Sequence, residues 1–244
     1  MLRSALTTAT THALARWTPC LDTELHTLRD LVGPGDVCVD VGAAAGLYSQ
    51  ALSQLAGPAG TVHSIEPLAF SHPGWARVLG VWARPNVVRH TLALGAGTGR
   101  AAMRVPFGPR GPATSRSFLD WHTSGLGSNA EYPYHADLLV DTTTLDGFRD
   151  ETGLTRLDFL KIDVEGGELH VLRGGARTIA EFRPTMLVEI EARHTERYDH
   201  TPDDVVRWLG EHGYHLYAWR RGWQPVDRVC PHANNYLCRP SEKD

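Results

Sequence analysis

Gly42 and Gly46 bracket a short loop in VDVGAAAG (39–46), and Glu66 closes a second apolar run, TVHSIE (61–66), 20 residues after Gly46. Glycines in such a place let a strand turn sharply into a helix. A carboxylate ending the next strand can accept hydrogen bonds from both hydroxyls of a ribose. The spacing argues against two commoner nucleotide sites. Gly42 to Gly46 reads G-x-x-x-G, without the middle glycine through which G-x-G-x-x-G brings backbone up to a pyrophosphate, and no Walker lysine follows. S-adenosylmethionine carries a ribose and an adenine but no phosphate, so it fits both what is present and what is missing. The alternative is a plain glycine turn with a surface glutamate. Asp40, inside the first strand pattern, reads as a buried group that hydrogen-bonds the loop backbone. Leu94, ending the third, reads as core or as one side of an adenine sandwich.

Periodicity supplies the elements that must hold these residues. DVCVDV (36–41) is a short buried-strand pattern, and Leu47, Ala51, Leu52 and Leu55 recur at helical spacing until Gly57-Pro58. TVHSIE is a second strand, and Val87 to Leu94 a third after another helix. This β-α-β-α-β alternation predicts a parallel sheet with right-handed crossovers and a ligand beyond the carboxyl ends of its strands. Upstream, Leu21, Leu25, Leu28 and Val32 form one apolar helical face. Ala101–Pro106 and Leu138–Thr144 look like strands flanking a Gly/Pro/Ser-rich stretch from Phe107 to about Pro133, a length that marks a functional or disordered segment. Downstream come a strand in LDFLKID (157–163), a helix through Leu169, Leu172, Ala176 and Ile179, and a strand at Thr185–Ile190. Thr201-Pro202-Asp203-Asp204 opens a further helix with a cap, a proline and early acids. Patterns at about 214–219 and 235–239 predict an antiparallel pair at one sheet edge.

The 244 residues suffice for one sizeable α/β domain. A net charge of −4 leaves no field of one sign to hold nucleic acid or an anionic membrane. No apolar run reaches the ~18 residues of a bilayer span, and the N-terminal segment lacks the apolar centre of a secretory signal. The expected compartment is the cytoplasm, with Cys20, Cys38, Cys230 and Cys238 as free thiols. Cys230, His232 and Cys238 lack a fourth partner for zinc.

FLKIDVEGGELHVLRGGA (159–176), taken in order with VDVGAAAG, HSIEP (63–67), DTTTLDGF (141–148) and RPTMLVEIEARH (183–194), resembles the FkbM family of methyltransferases, and NNYLCRP (234–240) resembles that family's ending. The resemblance implies a class I methyltransferase, Rossmann-like α/β fold. Its seven-stranded sheet is mostly parallel with an antiparallel seventh strand, and helices cover both faces. It also implies S-adenosyl-L-methionine as donor, S-adenosyl-L-homocysteine as product, and O-methylation of a small sugar, polyketide or peptide of secondary metabolism. By position, Gly42, Ala43, Gly46 and Tyr48 correspond to the cofactor loop, Glu66 to the ribose ligand, and Asp163 to the acid facing the methionine portion and the reaction centre. One position departs: the family loop usually reads VGANxG, and this chain has Ala44 in place of the asparagine. The expected organisation is a single methyltransferase domain over 1–244, with 1–33 as an N-terminal helical cap and 107–135 as a substrate lid.

Methyl transfer from a sulfonium is a direct displacement, so positioning the acceptor in line supplies much of the catalysis. A hydroxyl acceptor also needs a base for its proton. The candidates are Asp163, Glu165, Glu189, Glu191 and His194, all at or just beyond the fourth and fifth strands; His194 stands out because an unperturbed imidazole has a pKa of ~6.5. Against them stand a Lys161–Asp163 strand-end ion pair, a solvated Glu168 in a first helical turn and an ordinary loop histidine. Asp163, Glu165 and Glu189 also invite magnesium, which is the less favoured route. The lid carries Arg110, Arg116, Trp121, His122 and Tyr132 to cover an acceptor. Trp219, Arg220 and Trp223 pack an edge hairpin or line a homodimer contact. N-methylation, or a non-catalytic nucleotide-binding protein of the same fold, are the rival functions.

Overall fold

Short β-branched and leucine-rich runs between glycine turns become strands buried on both faces, as parallel sheets require. The computed structural model describes residues 23–68, 84–109, 111–121 and 123–241. Residues 1–22 of the cap expected over 1–33, the helix expected before Val87, and Cys20, Arg110 and His122 lie outside the described residues.

A 3-10 turn, Thr23–Asp30, precedes β1 (Val37–Val41), α1 (Leu47–Ala56), β2 (Thr61–Ile65), β3 (Val87–His90), β4 (Ala93–Leu94), β5 (Gly99–Gly108), β6 (Gly111–Pro112), β7 (Phe118–Leu119) and β8 (Tyr134–Thr143). Then follow α2 (Leu145–Thr152), β9 (Phe159–Ile162), α3 (Glu168–Gly174), α4 (Ala176–Phe182), β10 (Thr185–Glu189), α5 (Ala192–Thr195), α6 (Pro202–Glu211), β11 (Tyr214–Trp219), β12 (Trp223–Val226) and β13 (Asn235–Pro240). The main sheet runs β12-β11-β13-β10-β9-β1-β2-β3. β3, β2, β1, β9 and β10 are parallel, and β13 runs antiparallel to both neighbours. These are the expected seven strands, with an eighth, β12, added at the edge.

Three expectations need correction. The 214–219 and 235–239 strands do pair antiparallel, but inside the sheet; the edge is β12, where Pro225 has no N–H to offer a further strand. The Val87–Leu94 run is two strands, because β4 leaves the main sheet and pairs parallel with β8. The helix expected through Leu169 and Ile179 is two, α3 and α4, parted at Gly174-Gly175, where helix propensity is poor.

Period-two alternation sorts the central strands onto two faces. Val39, Val41, Leu160, Ile162, Met186 and Val188 join one core cluster; Cys38, Phe159 and Leu187 join another with Leu25, Leu28, Val32 and the apolar side of α1. Asp40 and Lys161, register partners on β1 and β9, share that α1-side face. The second sheet, β4-β8-β5-β6 with β7 on β5, grows from the Gly/Pro/Ser-rich middle. α6 begins with the expected cap: Thr201 and Asp204 exchange side-chain and backbone hydrogen bonds. Trp219 and Trp223 face each other across the edge hairpin, ring centres 5.3 Å apart. Among the described residues no helix is long and apolar enough to cross a membrane.

Candidate active site

Beyond the carboxyl ends of β1, β2, β9 and β10 lies a cavity of about 280 Å³. Its loop side depends on Gly42 (φ +80°): a Cβ there would sit 1.8 Å from the carbonyl oxygen of Asp163, so only glycine lets the loop cross the end of β9. Ala44, also left-handed at φ +46°, donates its N–H to Glu66 Oε2 at 2.9 Å. Glu66 Oε1 accepts from Leu68 N at 2.7 Å. One carboxylate thus staples the loop to the end of β2, and each oxygen keeps a second lone pair for a ligand hydroxyl. Burial raises the Glu66 pKa, opposed by these two backbone bonds.

The remaining loop residues have different places. Gly42, Ala44, Glu66 and Leu94 line the cavity, with Ile65, Leu68 and Leu92 as apolar neighbours. Asp40, Ala43, Gly46 and Tyr48 are not on the wall. Asp40 is buried beneath the loop, where its carboxylate accepts from Ser49 Oγ at 2.6 Å rather than from loop backbone, and Ser49 also reaches Ser64 Oγ at 2.8 Å. Burial lifts the Asp40 pKa to about 6, against the Ser49 bond and Lys161. Gly46 is the left-handed cap of α1, and Tyr48 places its ring 4.9 Å from the Lys161 ammonium. Asp40, Ser49 and Tyr48 therefore support the loop from below.

Acids crowd the opposite end. Asp163, Glu165 and Glu189 line the cavity. Lys161, fully buried, lies 3.2 Å from Asp163 Oδ2 and donates to Asn235 Oδ1 at 3.0 Å. The strand-end ion pair is thus real, and its carboxylate end is part of the cavity wall. Burial works against the Asp163 charge, but Lys161 and a hydrogen bond shared with Glu189 outweigh it and hold the Asp163 pKa below the usual range. Glu189 moves well above that range through burial, then through repulsion by Asp163. Burial likewise takes Glu165 to about 8, with Asp163 adding to it.

His194 does not line the cavity. It lies behind the wall, almost fully buried, with Nδ1 3.2 Å from Glu165 Oε2 and 3.8 Å from Glu189 Oε2. Glu191 Oε2 is 3.8 Å from its other nitrogen and also binds Arg193. Burial lowers the His194 pKa to about 4; Glu191 opposes this, while Arg193, Arg197 and Arg116 reinforce it. A histidine so placed and so weakly basic is a poor choice to meet an acceptor hydroxyl.

Four residues at the site escape sequence reasoning. Glu168 is not a solvated acid: it is buried and accepts from Val164 N at 3.1 Å and Gly166 N at 3.0 Å, pinning the turn that carries Glu165. Its place just after a Gly-Gly pair at a helix start was the available signal. Gly166 (φ +105°) has no room for a Cβ, which would lie 2.3 Å from the His194 carbonyl oxygen. Arg197, fully buried, stacks 4.1 Å from the Phe118 ring centre and bonds Glu165 O at 3.3 Å and Ser128 Oγ at 3.1 Å. Tyr198 donates to Leu119 O at 3.0 Å. Nothing in the sequence links positions 118–128 to 197–198. These contacts tie the described residues of 118–128 to the site, and Thr114, Ser115, Phe118, Leu119 and Trp121 form part of the cavity wall.

Residues 40–216 match the model of the methyltransferase FkbM domain, well over half of the chain. The chain belongs to the FkbM methyltransferase family. The matched residues, which include both the loop and acid ends of the cavity, thus form a methyltransferase domain. Among solved structures, an FkbM methyltransferase from Methylobacillus flagellatus is 17% identical, with 89% of this chain and 50% of that one covered and a TM-score of 0.49. This FkbM chain spans half the length of that protein. A putative rRNA methylase from Clostridium thermocellum is 9% identical over 91% and 96% of the two chains, with a TM-score of 0.50. Fibrillarin from Aeropyrum pernix, solved with S-adenosyl-L-methionine bound, is 17% identical over 89% and 73%, with a TM-score of 0.45. No curated protein matches the chain. The fold is the class I methyltransferase fold.

Proposed function

We propose that this protein is an S-adenosylmethionine-dependent O-methyltransferase acting on a hydroxyl of a small molecule of secondary metabolism, in the cytoplasm. The observation that carries this proposal is the polarity of one cavity: a single carboxylate, Glu66, at the loop end, suited to a ribose, and three carboxyl groups, Asp163, Glu165 and Glu189, at the other. Adenine fits the apolar side between Ile65, Leu68 and Leu94, and the sulfonium lies toward Asp163, whose negative charge favours it.

The acceptor oxygen attacks the methyl carbon as the carbon–sulfur bond breaks, and the bonding pair stays on sulfur as S-adenosylhomocysteine forms. The hydroxyl proton becomes strongly acidic once the oxygen shares a pair with carbon, so even the depressed Asp163 carboxylate is basic enough to take it. Lys161 keeps that carboxylate ionised and fixed. The test pairs calorimetry with turnover. The wild type binds S-adenosylhomocysteine, and Asp163→Asn lowers turnover about a hundredfold or more, within the range for general bases, while affinity for S-adenosylhomocysteine, which carries no sulfonium charge, stays within threefold. Absence of cofactor binding at high micromolar concentration would reject the assignment.

A further inference from the structure

Asp163, Glu165 and Glu189 form the oxygen-rich set that the sequence offers for magnesium, but folding changes the donors. Asp163 is engaged by Lys161, and His194, in the short helix α5, takes its place. Glu165, Glu189 and His194 present one donor atom each within 4.8 Å of one another. Nδ1 of His194 is 3.2 Å from Glu165 Oε2 and 3.8 Å from Glu189 Oε2. Metal–donor bonds of about 2.1 Å place neighbouring donors about 3.0 Å apart in an octahedron and about 3.4 Å in a tetrahedron, so small side-chain rotations close this set on one ion.

A second observation points the same way. His194 Nδ1 and Glu165 Oε2 are both buried and make no hydrogen bond, although they face each other. Buried polar atoms of native proteins are normally satisfied, and one cation between them would satisfy both. The competing positive charges are otherwise engaged: Lys161 with Asp163, Arg193 with Glu191, Arg197 with the Glu165 carbonyl and the Phe118 ring. Arg116 approaches the opposite ring nitrogen, Nε2, at 3.5 Å.

We infer that Glu165, Glu189 and His194 bind one divalent cation of the manganese, cobalt or zinc class at the cavity wall. The imidazole ligand selects that class over magnesium, which prefers oxygen donors and retains its waters. Both carboxylates line the cavity, so the remaining coordination positions of an ion held there open into it. There the ion takes the acceptor hydroxyl and sharpens its acidity while Asp163 removes the proton; this role rests on the proposed methyl transfer, whereas the binding site does not.

The test uses the full chain stripped with a chelator and titrated with Co2+, Mn2+ and Mg2+, with and without S-adenosylhomocysteine. One Co2+ per chain is expected, with visible d–d absorption and at least tenfold tighter binding than Mg2+. Glu165→Gln and His194→Gln should each weaken Co2+ tenfold or more and leave S-adenosylhomocysteine affinity within twofold. Glu191→Gln, an acid on the wrong side of the ring, should change neither. Circular dichroism checks that the variants are folded, and Glu165→Gln, on the cavity wall, decides the question if His194→Gln is not. No Co2+ or Mn2+ binding at millimolar concentration beside normal S-adenosylhomocysteine binding overturns the metal site alone. Equal weakening by Glu191→Gln and Glu165→Gln overturns it too, because it reports a diffuse acidic patch. Failure to bind either ligand overturns the metal site and the proposed function together.

Discussion

Replacing Glu66 by alanine removes one side chain with two jobs. Its oxygens accept from Ala44 N and Leu68 N, at 2.9 and 2.7 Å, and the residue lines the cavity. Hydrogen bonds to a charged group contribute about 1.5–3 kcal/mol each. Two ribose hydroxyls on this carboxylate are therefore worth about 3–6 kcal/mol before water is counted. Water entering the vacated space recovers part, which leaves a loss of about 2.7 kcal/mol, a hundredfold rise in Kd. The freed N–H groups of Ala44 and Leu68 reach the same water, so stability falls by only about 1–2 kcal/mol. Calorimetry with S-adenosylhomocysteine at fixed salt reads the first number, and urea unfolding the second. Glu66→Gln keeps one acceptor but turns an amide N–H toward a backbone N–H, so it too should bind poorly. A folded Glu66→Ala protein whose Kd stays within threefold of wild type would refute the placement of the ribose.

Ala44→Asn should stabilise the protein by up to about 1 kcal/mol, since asparagine tolerates the left-handed conformation that alanine occupies at a cost; an unchanged or lower urea midpoint would count against strain at Ala44. His63 and His90 stack and hydrogen-bond at 3.0 Å, and burial lowers both pKa values, His63 to about 4. Between about pH 6.5 and 4 this histidine pair therefore binds fewer protons in the folded chain than in the unfolded one, whereas the raised acids Asp40 and Glu165 act in the opposite sense. The pair's own contribution to stability should fall on acidification through that window, so thermal melts at pH 7 and 5 should show a less unfavourable acid shift in His63→Gln than in the wild type. Arg197→Met keeps an apolar stem on Phe118 but loses the bonds to Glu165 O and Ser128. Limited proteolysis should then cut within 107–135 several times faster; an unchanged cutting rate would mean that Arg197 does not hold that segment down.

Local pattern carried the central sheet. β1, β2, β9 and β10 were legible within a residue or two because each is a short apolar run bounded by glycine or a charged residue, and α6 because Thr201 and Asp204 form its cap locally. The division of Val87–Leu94 between two sheets was not legible: every residue in it is compatible with one strand, and only hydrogen bonds to β8, some 50 residues on, decide otherwise. Glu66 could be singled out from the end of its strand. His194 could be grouped with the acids from its place beyond the fifth strand, but its position behind the cavity wall could not be read, because the direction of α5 depends on contacts such as Arg116 and Gly166 that lie far away in the chain.

By itself, then, the order of glycines, short strands and strand-end acids determined the parallel α/β core, the family and the loop-plus-glutamate half of the cavity. These features repeat with local period and spacing, and each is enforced by backbone sterics close to its own position. Tertiary structure alone decided that Asp40 and Tyr48 lie beneath the loop, that Lys161 holds Asp163, and that Arg197 pins the 107–135 segment. It also decided that His194 faces Glu165 and Glu189 from behind the wall. Those facts depend on burial and on distances between segments distant in sequence, and it is burial that sets the charges of the acids and therefore their chemistry.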